Sequence, residues 1–172
     1  MKKIIVSILF ILLMTALMIG STSQTLPKEV SITIGDKELE YVIAKNKWNG
    51  AIFDREDTFK TLLKKGSEVE IPYIDIGKTA VINFKDYPPS QVTISDILID
   101  KNGNQIYSFI AITKIPVVLK DGKCSIESNK NIASALSSTY VKNKIDIRGF
   151  RIIASWGDNE CEYAFIIRTD GF

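Results

Sequence analysis

Four kinds of residue in this chain have types and spacings that could do chemistry: bunched carboxylates, a pair of cysteines, a pair of arginines, and a tryptophan beside an amide. Asp54, Glu56 and Asp57 form one carboxylate bunch, and Asp158, Glu160 and Glu162 form another. A carboxylate-dependent hydrolase of the glycosidase kind needs two such groups about 5–10 Å apart across a cleft. Each bunch also has an ordinary use. The first can cap a following helix and offset its dipole; the second can be a polar turn with a solvated strand face. Asp100, Asn102 and Asn104 offer oxygen atoms of the kind calcium takes, but the other loop positions and a distal bidentate Glu are lacking. A hairpin turn is expected there, and no metal.

Cys124 and Cys161 are an even pair and, in an exported chain, a disulfide candidate. Closing a loop of this length stabilises a fold by about 3–5 kcal/mol in the chain-entropy account. The alternative is two separate thiols, because Cα atoms more than about 7 Å apart cannot be bridged. Arg148 and Arg151 flank Gly149-Phe150; they could clamp a carboxylate bidentately or pair with a neighbouring strand. Trp48 and Asn49, ahead of Gly50, fall in an expected loop. There Trp48 is either a platform for a sugar or peptide or a plug at one end of the core. Ser137, Ser138, Thr139 and Tyr140 make a hydroxyl-rich stretch that can bond a ligand or its own backbone.

Much chemistry is excluded outright. The 172 residues include no histidine, so a Ser-His-Asp or Cys-His unit and any imidazole zinc site are impossible. Two cysteines cannot build a four-thiolate centre within one chain. Residues 24–172 contain no Ser-x-x-Lys, no glycine-rich phosphate loop and no dinucleotide fingerprint. No catalytic residue, metal or cofactor is assigned.

The elements that would position these residues read mostly as strands. Val30, Ile32 and Ile34 alternate with Ser31 and Thr33, Gly35-Asp36 turns the chain, and residues 39–44 run back. Residues 68–75 alternate, with Pro72 confining them to an edge or bulge. Residues 79–84 put Ala80, Ile82 and Phe84 on one face. Residues 91–100 meet Lys101-Asn102-Gly103-Asn104, and 105–112 return; Asn-Gly between apolar runs is a strong hairpin signal. Asp121-Gly122 joins residues 116–120 to 123–127, and Gly157-Asp158-Asn159 joins 148–156 to 160–169. In that last pair Phe150, Ile152, Ala154 and Trp156 share one face, and Cys161, Tyr163, Phe165 and Ile167 share another. One helix interrupts the pattern, with Phe59, Leu62 and Leu63 at i, i+3 and i+4, Lys64 and Lys65 in its last turn and Gly66 as its stop. A weaker helical turn is expected across Ile132, Leu136 and Tyr140. The whole predicts a mainly β, antiparallel sandwich or barrel of roughly nine strands.

The N-terminus addresses the chain outward. Lys2 and Lys3 precede an apolar run from Ile4 to Ile19, and Gly20, Ser21 and Ser23 follow. Residues 1–23 read as a signal peptide cleaved after Ser23, leaving one domain over 24–172; the alternative is an uncleaved anchor through residues 4–20. Cleavage removes Lys2 and Lys3 and leaves 20 basic against 20 acidic residues. A neutral domain has no electrostatic footprint for nucleic acid or anionic lipid.

Trp48-Asn-Gly, the run Tyr73-Ile-Asp-Ile-Gly-Lys, Asn83-Phe-Lys-Asp with its following prolines, and the ending Arg148-Gly-Phe-Arg-Ile-Ile-Ala-Ser-Trp156 resemble small secreted proteins of Gram-positive bacteria. More distantly they are similar to extracytoplasmic segments that accompany antirepressor-type membrane peptidases and sensors. The resemblance implies an immunoglobulin-like β-sandwich outside the cytoplasm and carries over no catalytic residue. The Cys…Trp…Cys order of antibody domains is present only loosely, since Trp156 and Cys161 are five apart. The expectation is a non-catalytic extracellular binding or interaction domain whose partner is an extracellular or cell-envelope protein, peptide or glycan. The alternatives are a membrane-anchored sensor or accessory subunit, and a carboxylate-dependent hydrolase.

Overall fold

Twelve-residue strands at the C-terminus organise the molecule: β9 (Ile145–Trp156) and β10 (Asn159–Asp170) pair along their whole length, from Asn159 opposite Trp156 to Asp170 opposite Ile145. Gly157 turns them with φ of 58°, the positive value required at the first position of a tight hairpin turn. The computed structural model describes residues 29–53, 57–65, 71–136 and 141–171. The leader, Asp54, Glu56, Gly66 and residues 137–140 lie outside the described residues, as does part of the segment 68–75.

The other elements are β1 (Ser31–Ile34), β2 (Lys37–Glu38), β3 (Tyr41–Trp48), β4 (Ala51–Ile52), α1 (Thr58–Lys65), β5 (Thr79–Asn83), β6 (Gln91–Ile99), β7 (Thr113–Ile115) and β8 (Lys123–Glu127). They form a four-stranded sheet in the order β2-β1-β5-β8 and a six-stranded sheet in the order β4-β3-β10-β9-β6-β7. Every pairing between these strands is antiparallel; an isolated bridge between Tyr73 and Arg168 is parallel.

The two sheets are a sandwich because one apolar core takes residues from both. Ile32, Ile82 and Ile126 come from the small sheet; Phe150, Ile152, Ala154, Tyr163, Phe165 and Ile167 come from the large one. Period-2 alternation along β9 and β10 sends the expected residues inward. Phe150 and Phe165 stand opposite in register and stack at 4.8 Å and 5°. The outer face of the large sheet carries a second cluster, in which Phe59 of α1 meets Val42, Ile97, Ile99, Ala164 and Ile166, with Leu62 and Leu63 alongside. Gly149 makes this docking possible. A Cβ there would lie 2.6 Å from the Phe59 ring.

Several expected pairings come out differently. The chain after Gly35-Asp36 pairs only at Lys37 and Glu38, then crosses so that residues 41–48 join the other sheet beside β10. Buried Leu39 marks the crossing. Residues 71–75 make only an isolated bridge, Tyr73 to Arg168, where Pro72 contributes an acceptor and no donor. Residues 105–112 do not return as a strand. Continuous pairing from the Ile99–Gln105 bridge would set Ile94 opposite residue 110, whereas its partner is Ile115, so five residues are extruded around a 3-10 turn at Phe109–Ala111. Residues 116–120 meet their hairpin partner only at Lys120. The turn expected around Ile132 is a 3-10 helix, Ile132–Leu136, whose Ile132 and Leu136 point outward.

Candidate ligand cleft at the open edge of the sandwich

Arg148 belongs to the inward set of β9 by the same parity that buries Phe150 and Ile152. Asp96 belongs to the inward set of β6, two residues on from Ile94. The register places Leu98 opposite Arg148 and Phe150 opposite Asp96, so the two charged side chains are diagonal neighbours on one face. They meet in a bidentate ion pair: Arg148 Nε donates to Asp96 Oδ1 at 3.1 Å, and Nη2 donates to Oδ2 at 2.5 Å. Both side chains are 2% exposed, and the guanidinium carbon lies 5.2 Å from the Phe150 ring centre. Arg148 Nη1 is buried and, among the described residues, has no hydrogen-bond partner.

Arg148 and Asp96 are both among the residues that line a cleft of about 330 Å³. Its walls are the two terminal strands on this side of the sandwich: Thr113, Lys114 and Ile115 of β7, and Ser125, Ile126 and Glu127 of β8. A buried N–H donor left unsatisfied costs about 1–3 kcal/mol, and more when it is charged. Two larger hollows, about 550 Å³ along Leu39–Ile43 and about 610 Å³ along Pro116–Ser125, are each formed mainly by one stretch of chain and touch no buried unpaired donor among the described residues.

Arg151 behaves oppositely from three residues away. Odd spacing on a strand sends it to the outer face, so Arg148 and Arg151 do not form the single clamp that their sequence spacing suggests. Arg151 Nε lies 3.1 Å from Glu162 Oε1 without hydrogen-bond alignment, and its guanidinium lies over the Phe59 ring at 5.3 Å. Thr58 Oγ1 donates to the same Glu162 oxygen at 2.5 Å. These contacts fasten α1 to the sheet.

A third polar cluster joins Ser134, Lys144 and Asp146. Ser134 Oγ donates to Asp146 Oδ2, and Lys144 Nζ reaches Asp146 Oδ1 at 3.1 Å and the Ser134 carbonyl at 3.1 Å. A Cβ on Gly171 would lie 2.9 Å from both Ser134 Oγ and Asp146 Oδ2. Backbone thus packs directly over the hydroxyl, and the cluster pins the chain end to β9.

The other expected site residues serve the fold. Trp48 is 6% exposed at the end of β3, with its ring edge-on to Trp156 at 6.0 Å. It presents no open platform. Asn49 takes φ of 51° and its N–H donates to Asn159 Oδ1 at 2.8 Å, so it ties one hairpin end to the other. Asp57 pairs with Lys60 at 2.6 Å, and Glu160 accepts from Asn46 Nδ2 at 2.9 Å. Asp100 accepts from Asn104 Nδ2 and from the N–H groups of Asn102 and Asn104. Those bonds, the Asn104 side chain first, hold its carboxyl below the usual range. Among the described residues no group of three metal-type ligands occurs, and no helix is long and apolar enough to cross a membrane.

Of the two states open to the cysteine pair, the structure has separate thiols; Cys124 and Cys161 are both free and buried. They face one core from opposite sheets, Cys124 on terminal strand β8 and Cys161 on interior strand β10. Burial pushes both thiols up to about 11, so they remain protonated at neutral pH. Asp96 is the site residue that sequence reasoning missed. Its signal was a lone charge inside the apolar run Ile94-Ser-Asp-Ile-Leu-Ile99, on the parity of Ile94. Compared with protein-family models, curated proteins and solved structures, the chain matches none, so its functional reading rests on these residues alone.

Proposed function

We propose that the protein is an exported, non-catalytic binding domain, with the cleft between β7 and β8 as its ligand seat. The observation that carries this reading is the buried Asp96–Arg148 pair lining that cleft, with one guanidinium nitrogen lacking a protein partner among the described residues. A buried ion pair is weak support for stability alone, whereas a rigidly held, unsatisfied donor beside a cleft suits recognition. The partner proposed is an extracellular or cell-envelope protein, peptide or glycan. The immunoglobulin-like assignment is supported by two antiparallel sheets around an aromatic core. It does not extend to strand order: β10, the last strand, is interior here, whereas the last strand of a constant-type immunoglobulin domain ends its sheet.

Capture of envelope material by the exported protein tests the reading. Wild type retains a defined partner, and the double variant D96L/R148M, which replaces the pair by apolar side chains, loses it. Equal capture by both proteins contradicts it. The mass of the exported protein separates two forms of the proposal. An N-terminus at Gln24 makes it a released domain; retention of residues 4–20 makes it an anchored sensor or accessory subunit.

A further inference from the structure

We propose that the cleft takes the C-terminal carboxylate of an extended peptide, the acid accepting from Arg148 Nη1 while the preceding residues run along the free edge of β7 or β8. This rests on the cleft being the ligand seat, as proposed above. Three observations narrow the ligand class. Asp96 occupies Nε and Nη2, which fixes the guanidinium plane and leaves Nη1 as a donor, so the missing partner is an acceptor. The lining carries Arg148, Lys114 and Lys130 against Asp96 and Glu127, three positive charges to two negative. A monoanion balances that excess; a cation is repelled, and a neutral apolar group leaves Nη1 unpaired.

The walls favour a peptide as the source of the acid. β7 ends the six-stranded sheet and β8 ends the four-stranded sheet, so each presents a row of main-chain groups with no strand beyond it among the described residues. An extended chain satisfies such an edge by adding to it. β7 is short because Pro116 follows it and supplies no N–H, so an added segment is also short, in keeping with a cleft of about 330 Å³. Nη1 is shielded from solvent, so the carboxylate enters as the two edges part slightly. β7 and β8 lie in different sheets and share no ladder, so parting them breaks no strand pairing.

The test is an NMR titration of the isotope-labelled exported protein, at low salt, with acetyl-trialanine as the free acid and as the C-terminal amide. The expected result is that the acid shifts the backbone signals of Thr113–Ile115 and Ser125–Glu127 and binds at least tenfold more tightly than the amide. D96L/R148M, whose dispersed spectrum certifies its fold, loses that preference. Amide binding equal to acid binding at the cleft overturns the carboxylate assignment and leaves the ligand seat standing. Glucuronate bound more tightly than the peptide acid overturns the peptide assignment. If none of the three probes disturbs the cleft, the carboxylate inference and the ligand seat fall together.

Discussion

Arg148 and Arg151 occupy one strand, three residues apart, and each faces a buried carboxylate, yet they serve different ends. Arg151 looks outward, beneath a helix that supplies Thr58 to share its Glu162 and Phe59 to cover its guanidinium. Arg148 looks inward, where Asp96 engages two of its nitrogens and the third is buried without a hydrogen-bond partner among the described residues. The same pairing chemistry fastens a helix on the outer face, whereas the inner pair is sealed in the core with one donor unpaired among the described residues, the donor proposed above as the recognition group. Surroundings decide the role, and the pleat decides the surroundings.

Removing one partner of the inner pair is expected to have the largest effect. Arg148→Ala or Asp96→Ala strands a buried charge, and urea unfolding is expected to show a loss of about 3–5 kcal/mol. D96L/R148M is expected to lie within about 1 kcal/mol of wild type or above it. If the double variant is as damaged as the single ones, the pair is a structural requirement and its assignment as a recognition group weakens.

Alkaline titration is expected to have the next largest effect. Burial raises the folded pKa of Cys124 and Cys161 above the ordinary value of 9.0 to about 11, and it raises Tyr163 as well. The folded state therefore holds these protons more tightly. The stabilisation is complete below about pH 9 and is lost as pH rises toward 11, at about 2–3 kcal/mol per thiol. Denaturation midpoints measured at pH 8 and pH 10.5 check this, and the native protein should resist thiol alkylation at pH 7 until it unfolds.

On the outer face, Gly149→Ala drives a methyl into the Phe59 ring and is expected to cost about 1–3 kcal/mol. Hydrogen exchange should localise the loss to α1. Glu162→Gln removes the charge shared by Arg151 and Thr58 and is expected to cost about 1–3 kcal/mol without altering the cleft. The smallest expected effect is Asp100→Ala. This exposed turn carboxylate holds Asn102 and Asn104, and its loss should loosen the turn with little change in overall stability. Because its folded pKa is lowered, its contribution is present at neutral pH and disappears as pH falls through the acid range.

The C-terminal hairpin and α1 were legible in the sequence because their patterns are local. Alternation over residues 148–156 and 160–169 fixes which side chains face inward, and Phe59, Leu62 and Leu63 fix one helix face. Which sheet each strand joins was not legible. Gly35-Asp36 announces a turn, but nothing local says that the returning chain leaves after Glu38 to sit beside β10. The extrusion of five residues between Gln105 and Thr113 depends likewise on a register set by the distant β6–β9 pairing. At the candidate site, Arg148 was singled out but its partner was not, because Asp96 lies 52 residues away and only the register brings the two together. Parity along β9 separates Arg148 from Arg151, and applied strictly it is enough to rule out a shared clamp.

The most direct test observes both arginines in one spectrum, following their side-chain Nε–H signals as the acetyl-trialanine acid is added. The expected result is that the Arg148 signal shifts in a saturable manner while the Arg151 signal stays in place. A shift of Arg151 alone, or equal response of the two, contradicts it.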